Sequence, residues 1–535
     1  MFNNKNLKNL FIFLSILLLA GALRVHNLDK YSLWYDEAIS PLQEGGMKNL
    51  PNIAKLFDSD FSVKNPDYLA MYNYGFICYW QALFGQSEFA LRMSSVMFSL
   101  LTICLLYLLA QFLFNTKTAQ IAAFLLAISP FHIYYSQELR PYAIVCFFTL
   151  LCVYSLSQIL NNNKNRWWFI YSISSIISIY FLYINLFCLI AFLLFLIYRI
   201  KKVDIKKFII AHSVILILLI PALLIIYHNL VFMFTHNIPV ETNEFPVWSE
   251  GKVGIENLVF MFKNFSGGYY LDYFSLAGKS ITFICLFFLG FSIFRFWKKD
   301  KMQLLLFCLF VPVVIIFFVF QIKNCYVYRY SFSVLPLFFL IIAAGVGVLN
   351  RVLSFFSLVA IVFLNIFGLT AYYSNHLPSN TIQYTGVQEK QDIRSAVKVL
   401  TDNYVEGDRI LQLCRNTVFP LKFYTRMFKA RSSLLVEIDR GTVVGISDNG
   451  ELLFCDYNGM HPFTFRREDY RNVDNFKDKK RVCLVISDWH FRGLGEKECK
   501  ALSKFRENFT EVKTERFKDI EIYYFNKKAV DINLK

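Results

Sequence analysis

The run Tyr-Ser-Leu-Trp-Tyr-Asp-Glu-Ala-Ile-Ser from Tyr31 to Ser40 sets two carboxylates side by side, Asp36 and Glu37, shortly after the first long apolar stretch of the chain. A carboxylate can take a proton from an attacking group if it comes within hydrogen-bond reach. On a helix, neighbours one residue apart point about 100° away from each other. One carboxylate then faces a reacting group and the other a structural partner such as Arg24, unless both simply solvate a surface loop. Arg140 and Arg329 stand where other basic residues are scarce, and the guanidinium fork matches the oxygens of a phosphate. A side chain snorkelling at a helix end is the competing reading for each. Glu138, two residues before Arg140, could hold that arginine, orient a ligand or bind a divalent ion.

The elements that must position these groups are set by composition. Hydrophobic residues make up 56% of the chain, with 58 Phe and a mean hydropathy of +0.43, more apolar surface than a soluble core of this length can bury. Runs long enough to cross a hydrocarbon layer as helices fall near 9–24, 93–114, 118–133, 141–160, 167–182, 184–199, 208–228, 273–295, 302–321, 331–350 and 353–372. The expected fold is therefore mainly α, a polytopic transmembrane bundle of about eleven spans. The segment Tyr68 to Phe84 mixes Tyr, Asn and Gln with apolar residues and reads as interfacial or re-entrant.

Basic residues gather in alternate connections: Lys5 and Lys8, Lys117, Lys164 and Arg166, Arg199 to Lys207, Arg295 to Lys301, and Arg351. Short loops rich in Lys and Arg stay cytoplasmic, which places Asp36, the first outer loop 25–91, the long loop 229–272 and everything after Tyr373 outside. The net charge of +16 then reads as attraction to anionic lipid of the inner leaflet rather than to nucleic acid. The motif Gly267-Gly268-Tyr269-Tyr270 in the long loop has features of a mobile cover. Eight of the twelve Cys lie in or beside apolar runs, and Cys414, Cys455, Cys483 and Cys499 could pair or stay as thiols.

Residues 1–373 form the expected membrane domain and 374–535 an extracytoplasmic α/β domain. In the latter, short apolar runs at Arg409 to Cys414, Leu452 to Asp456 and Arg481 to Ser487 interleave with helix-like stretches at Asp392 to Tyr404 and Glu496 to Asn508, and Glu511 to Asn526 reads as a hairpin. A lid or docking role suits this domain better than an independent catalytic one.

Several groups of residues follow in fixed order: Arg24, then Leu33-Trp34-Tyr35-Asp36-Glu37-Ala38, then Phe84 to Arg92. Ser129-Pro130, the run Tyr135 to Tyr142, Tyr328-Arg329-Tyr330 and Pro336 complete the series. This order resembles the GT-C superfamily of glycosyltransferases, in particular the bacterial branch akin to protein mannosyltransferases and aminoarabinose transferases. The resemblance implies transfer of a sugar from a polyprenyl-phosphate donor to a hydroxyl acceptor, a glycolipid, polysaccharide or protein, at the outer face of an inner membrane. It implies Asp36 as base with Glu37 beside it. It also implies Arg24, Asp67, Arg92, Glu138, Arg140, Tyr142, Arg329 and Tyr330 as residues around the substrates. One inverting step needs a single base, unlike the two-carboxylate layout of glycoside hydrolases. No cofactor is expected; a divalent metal would draw on Asp36, Glu138 and His132. Asn65-Pro66-Asp67-Tyr68 and Tyr183-Ile184-Asn185 depart from the family pattern, which leaves the substrates open; Asp67 could contact an acceptor or cap the next helix. A lipid-linked sugar flippase or a catalytically silent assembly partner is the alternative.

Overall fold

The computed structural model describes residues 4–42, 71–235, 254–321, 327–378, 387, 389–412, 417–440, 442–446, 452–456, 481–487, 502–503, 505–507 and 509–527. The chain divides into two compact units. One, the membrane unit, takes in Met1–Leu28, Met47–Phe76 and Phe89–Glu389; the other, the C-terminal unit, takes in Asp29–Gly46, Ile77–Glu88 and Lys390–Lys535. The short segments bearing Asp36 and Glu88 thus belong with the distant end of the sequence.

In the membrane unit, eight helices among the described residues are long and apolar enough to span a bilayer: Asn6–Val25, Glu88–Leu113, Tyr142–Asn162, Ile205–Tyr227, Leu276–Phe296, Asp300–Gln321, Tyr328–Val348 and Arg351–Tyr373. Thr116–Ile128 and Tyr183–Tyr198 are shorter apolar helices, and Asn165–Phe181 completes the set of apolar runs expected as spans. Tyr328–Val348 is enclosed by its neighbours, whereas Asn6–Val25 and Arg351–Tyr373 turn most of their side chains outward, where only hydrocarbon can receive them.

The run 118–133, expected as one span, is two helices. Asn115 caps the first, its side chain accepting from Thr118 N at 2.9 Å. The first helix stops at Ile128 because Pro130 has no N–H to continue the ladder. Ser129 then caps Pro130–Ser136, accepting from His132 N at 3.3 Å, with Pro130 in the first turn, where its missing donor costs nothing.

The basic connections meet one another. Lys117 Nζ donates to Gly347 O at 3.1 Å and Leu349 O at 2.9 Å, Lys207 Nζ to Asn163 O at 2.8 Å, and Arg199 pairs with Asp300 at 2.7 Å. At positions 255–271 the expected mobile cover is corrected. Ile255–Gly267 is a helix, Tyr269 and Tyr270 are buried, and Lys263 Nζ ties the turn by donating to Gly268 O at 2.9 Å and to Leu271 O. Gly268 adopts φ +75°, and a Cβ there would sit 2.9 Å from Pro130 Cβ and 3.1 Å from Phe131 N. Only a residue without a side chain lets the turn approach so closely.

The C-terminal unit holds a six-stranded mixed sheet ordered β3-β2-β1-β4-β6-β5. Its strands are β1 Arg409–Gln412, β2 Thr442–Ile446, β3 Leu452–Asp456, β4 Arg481–Ser487, β5 Phe509–Phe517 and β6 Ile520–Lys527. β1 runs parallel to both β2 and β4, and the other pairs are antiparallel. A parallel pair needs a crossover, supplied between β1 and β2 by Val418–Met427 and Ser432–Arg440. Helix Ile393–Asn403, capped by Asp392, buries Ile393, Ala396, Val397 and Leu400, the spacing of one apolar face. The expected hairpin is β5–β6. Cys483, at the centre of the sheet, is a buried thiol.

Candidate functional site

In the membrane unit the groups gather around helix Pro130–Ser136 and the turn that follows it. Tyr135 Oη and Tyr269 Oη share a hydrogen bond at 2.7 Å, and both phenols lie within electrostatic reach of Glu138 and Arg329. Glu138 is buried and hydrogen-bonds through its side chain to Tyr134. Its carbonyl accepts from Ser95 Oγ at 2.6 Å and from Arg140 N at 2.8 Å. Tyr142 packs edge-on against Tyr135 with ring centroids 5.0 Å apart. Tyr372 closes the group: it lies within reach of Glu138 and Arg92, and its hydroxyl donates to Gln137 Oε1 at 2.6 Å. The fold thus assembles Glu138, Tyr142 and Arg329 with the phenols of Tyr134, Tyr135, Tyr269 and Tyr372. Arg140 is half-buried beside Glu138 in the chain, and Tyr330 stacks on Phe320 at 5.3 Å. Arg92 Nη1 donates to Leu28 O at 2.9 Å.

Arg24 stands apart from this group in its bonding. It is fully buried, and all five of its N–H bonds meet protein acceptors. Nε donates to Ser99 Oγ at 2.6 Å, Nη1 to Ala20 O at 3.0 Å and Ala127 O at 2.9 Å, and Nη2 to Leu126 O at 3.1 Å and His132 Nδ1 at 2.7 Å. A guanidinium only donates, so His132 Nδ1 accepts and the ring carries its proton on Nε2. Leu126 and Ala127 end the helix that Pro130 interrupts, so the cation covers carbonyls the break leaves bare and complements the negative end of that helix. Among the described residues no group of three or more His, Cys, Asp and Glu side chains gathers to hold a metal ion.

The C-terminal unit carries the acidic pair at the start of helix Tyr35–Leu42. Glu37 is fully buried. Its Oε2 accepts from Trp34 N at 3.4 Å and pairs with Lys390 Nζ at 3.5 Å, the reciprocal half of a capping box at the helix start. Its cationic partner is thus Lys390 rather than Arg24. Asp36, the preceding residue, is half-buried. Asp67 lies outside the described residues.

Sequence reasoning passed over Tyr134 and Tyr372 because buried tyrosines in apolar runs look like ordinary core, and it read Tyr269 and Tyr270 as part of a mobile cover; the one available sign was their clustering in adjacent pairs, Tyr134-Tyr135, Tyr269-Tyr270 and Tyr372-Tyr373. Lys390, Arg394 and Tyr424 gave no local signal at all.

The multi-pass helical bundle and the C-terminal sheet give the chain the GT-C fold. Residues 71–228 match the family described as dolichyl-phosphate-mannose-protein mannosyltransferase. Among solved structures, ArnT from Cupriavidus metallidurans in the apo state superposes with a TM-score of 0.58 at 11% identity, covering 96% of this chain and 97% of that one. The same protein bound to undecaprenyl phosphate gives 0.57 at 11% identity, with the same coverage of both chains. The oligosaccharyltransferase AglB from Archaeoglobus fulgidus, in complex with an inhibitory peptide and a dolichol-phosphate, gives 0.51 at 12% identity over 99% of this chain and 75% of that one. No curated protein sequence matches the chain.

Proposed function

We propose that this chain is an integral-membrane glycosyltransferase that moves a monosaccharide from a polyprenyl-phosphate donor to a hydroxyl acceptor at the outer face of the membrane. The observation that carries the reading is the gathering of Glu138, Arg329, Tyr135, Tyr142 and Tyr269 in a chain with the GT-C fold. The fold is shared with ArnT, crystallised with undecaprenyl phosphate, and with AglB, determined with dolichol-phosphate.

In the proposed step the acceptor oxygen attacks the anomeric carbon, its proton passes to Asp36, and the bond from that carbon to the phosphate oxygen breaks with its electron pair leaving on the phosphate. Arg140 and Arg329 steady that charge through guanidinium hydrogen bonds. Glu138, Tyr142, Arg92 and Tyr330 border the substrates, and aromatic faces suit sugar rings. Glu37 supports the helix that bears Asp36, and Arg24 fixes the helix break beneath the phenols. We assign the basic connections to the cytoplasmic side of an inner membrane and the C-terminal unit to the opposite side.

The test is turnover by purified protein in lipid nanodiscs with radiolabelled polyprenyl-phosphate sugars and a panel of glycolipid, polysaccharide and peptide acceptors. Label appearing on an acceptor, lost in Arg329→Met and Arg140→Met, supports the reading. Movement of intact labelled lipid across the bilayer with no product would replace it with a flippase.

A further inference from the structure

Within the C-terminal unit, three residues from far along the chain hold the segment that leads into Asp36. Tyr424, fully buried in helix Val418–Met427, accepts from Leu33 N at 2.6 Å and donates to Glu88 Oε1 at 2.9 Å, so one hydroxyl joins the main chain before Asp36 to a buried carboxylate. Arg394 meets that carboxylate too, Nη1 to Glu88 Oε1 at 2.9 Å. It also donates to Asp29 O at 3.1 Å and Lys30 O at 3.3 Å, while its own N–H takes Ser32 Oγ at 3.0 Å. Lys390 pairs with Glu37, whose carboxylate in turn receives Trp34 N. The Tyr35 ring lies on Phe419 of the same Val418–Met427 helix, with centroids 5.0 Å apart.

These contacts fall on Asp29, Lys30, Ser32, Leu33 and, through Glu37, Trp34. Almost every residue of the approach to Asp36 is thereby gripped by a side chain or amide from Lys390 onward. Helix Tyr35–Leu42 has only eight residues and a proline inside it, too short to hold its own geometry in isolation. Its first turn, and hence the direction of the Asp36 carboxylate, depends on what fixes its start.

We propose that Lys390, Arg394 and Tyr424 are positioning residues for Asp36, so that the soluble part of the chain is a working component of proton removal rather than a lid or a separate docking module. The inference rests on the reading of Asp36 as base. Loss of Tyr424 Oη removes the acceptor of Leu33 N–H and one donor to Glu88 together, and the approach relaxes. An error of about 1 Å in a catalytic group costs on the order of a hundredfold in rate; partial loss of the support lowers kcat by about tenfold or more. The support touches no substrate, so the donor KM stays put.

The experiment compares full-length parent, Tyr424→Phe, Lys390→Met, Lys390→Arg and Asp36→Asn in nanodiscs, measuring kcat and KM for a polyprenyl-phosphate sugar together with the thermal unfolding midpoint. The expected result is a kcat lowered about tenfold in Tyr424→Phe and Lys390→Met at parental donor KM, with Lys390→Arg returning most of the rate. A general weakening of the fold would instead lower the midpoint and the active fraction without separating Arg from Met at position 390. If Asp36→Asn is inactive while Tyr424→Phe and Lys390→Met turn over at the parental kcat, the positioning role is overturned and the base survives. If Asp36→Asn turns over like the parent, the base itself falls, and the positioning role with it.

Discussion

Arg24 separates two accounts of one buried cation, because a strut and a substrate ligand fail differently when removed. Arg24→Met keeps the stem that packs in the core and deletes five N–H donors. Ser99 Oγ keeps its hydrogen bond from Ser136 at 2.7 Å and lies 3.4 Å from His132 Nδ1, so those two can satisfy each other. Leu126 O retains a long bond of 3.4 Å from Ser129 N. The carbonyls of Leu126 and Ala127 therefore carry most of the loss. A hydrogen bond from a charged group is worth about 1.5–3 kcal/mol in soluble proteins, but interhelical bonds in membranes average nearer 0.6 kcal/mol. Taking about 1 to 1.5 kcal/mol for each carbonyl gives about 2 to 3 kcal/mol in all, or a fall of about 2 to 4 °C in the unfolding midpoint of a chain this long. The assay is thermal unfolding in detergent, followed by intrinsic fluorescence, alongside the donor KM. An unchanged midpoint with a donor KM raised tenfold would refute the strut and make Arg24 a substrate ligand.

Other outcomes follow from local geometry. Gly268→Ala forces a side chain into a backbone conformation open essentially to glycine and against Pro130 and Phe131, so stability should fall by about 1–3 kcal/mol, read from the same melting curves. Lys263→Met strips Gly268 O and Leu271 O of their donor. It should loosen the Tyr269 turn, visible as faster amide exchange across 267–271 with residues 393–403 unaffected. Burial pushes the Cys483 thiol up to about 12 from 9.0, so at pH 8 it should resist iodoacetamide in the folded protein and react once unfolded, as peptide mass mapping would show. Between pH 9 and 12 the folded state holds this proton and the unfolded state releases it, so the Cys483 contribution lowers stability as pH rises through that window.

The spans were legible because an uninterrupted apolar run of sufficient length has few other uses, and each expected run is helical in the structure. Ser129-Pro130 ends a helix that hydropathy runs straight through, because a proline inside an apolar run is invisible to hydropathy and decisive for hydrogen bonding. The Gly267 to Tyr270 turn was misread because glycine beside tyrosine suits a mobile loop as well as a close-packed one; Pro130, Phe131 and Lys263 decide between them, and all lie on other parts of the chain or other turns of the helix. In the C-terminal unit, β1, β3 and β4 were readable as short apolar runs between helix-like stretches, and β5–β6 as a closing hairpin. Helix Val418–Met427, with its mixed aromatic and basic residues, was not. The contacts that no local pattern could reveal are those of longest range: Arg24 to His132 across 108 residues, Glu37 to Lys390 across 353 and Leu33 to Tyr424 across 391.

The central claim is that the carboxylate of Asp36 takes the proton from the acceptor. Its most direct test is single-turnover transfer from a labelled polyprenyl-phosphate sugar by Asp36→Asn, an isosteric change that keeps the side-chain shape and removes the basic site. The account predicts a rate lowered by about a hundredfold or more with donor binding intact; a rate equal to the parent's would contradict it.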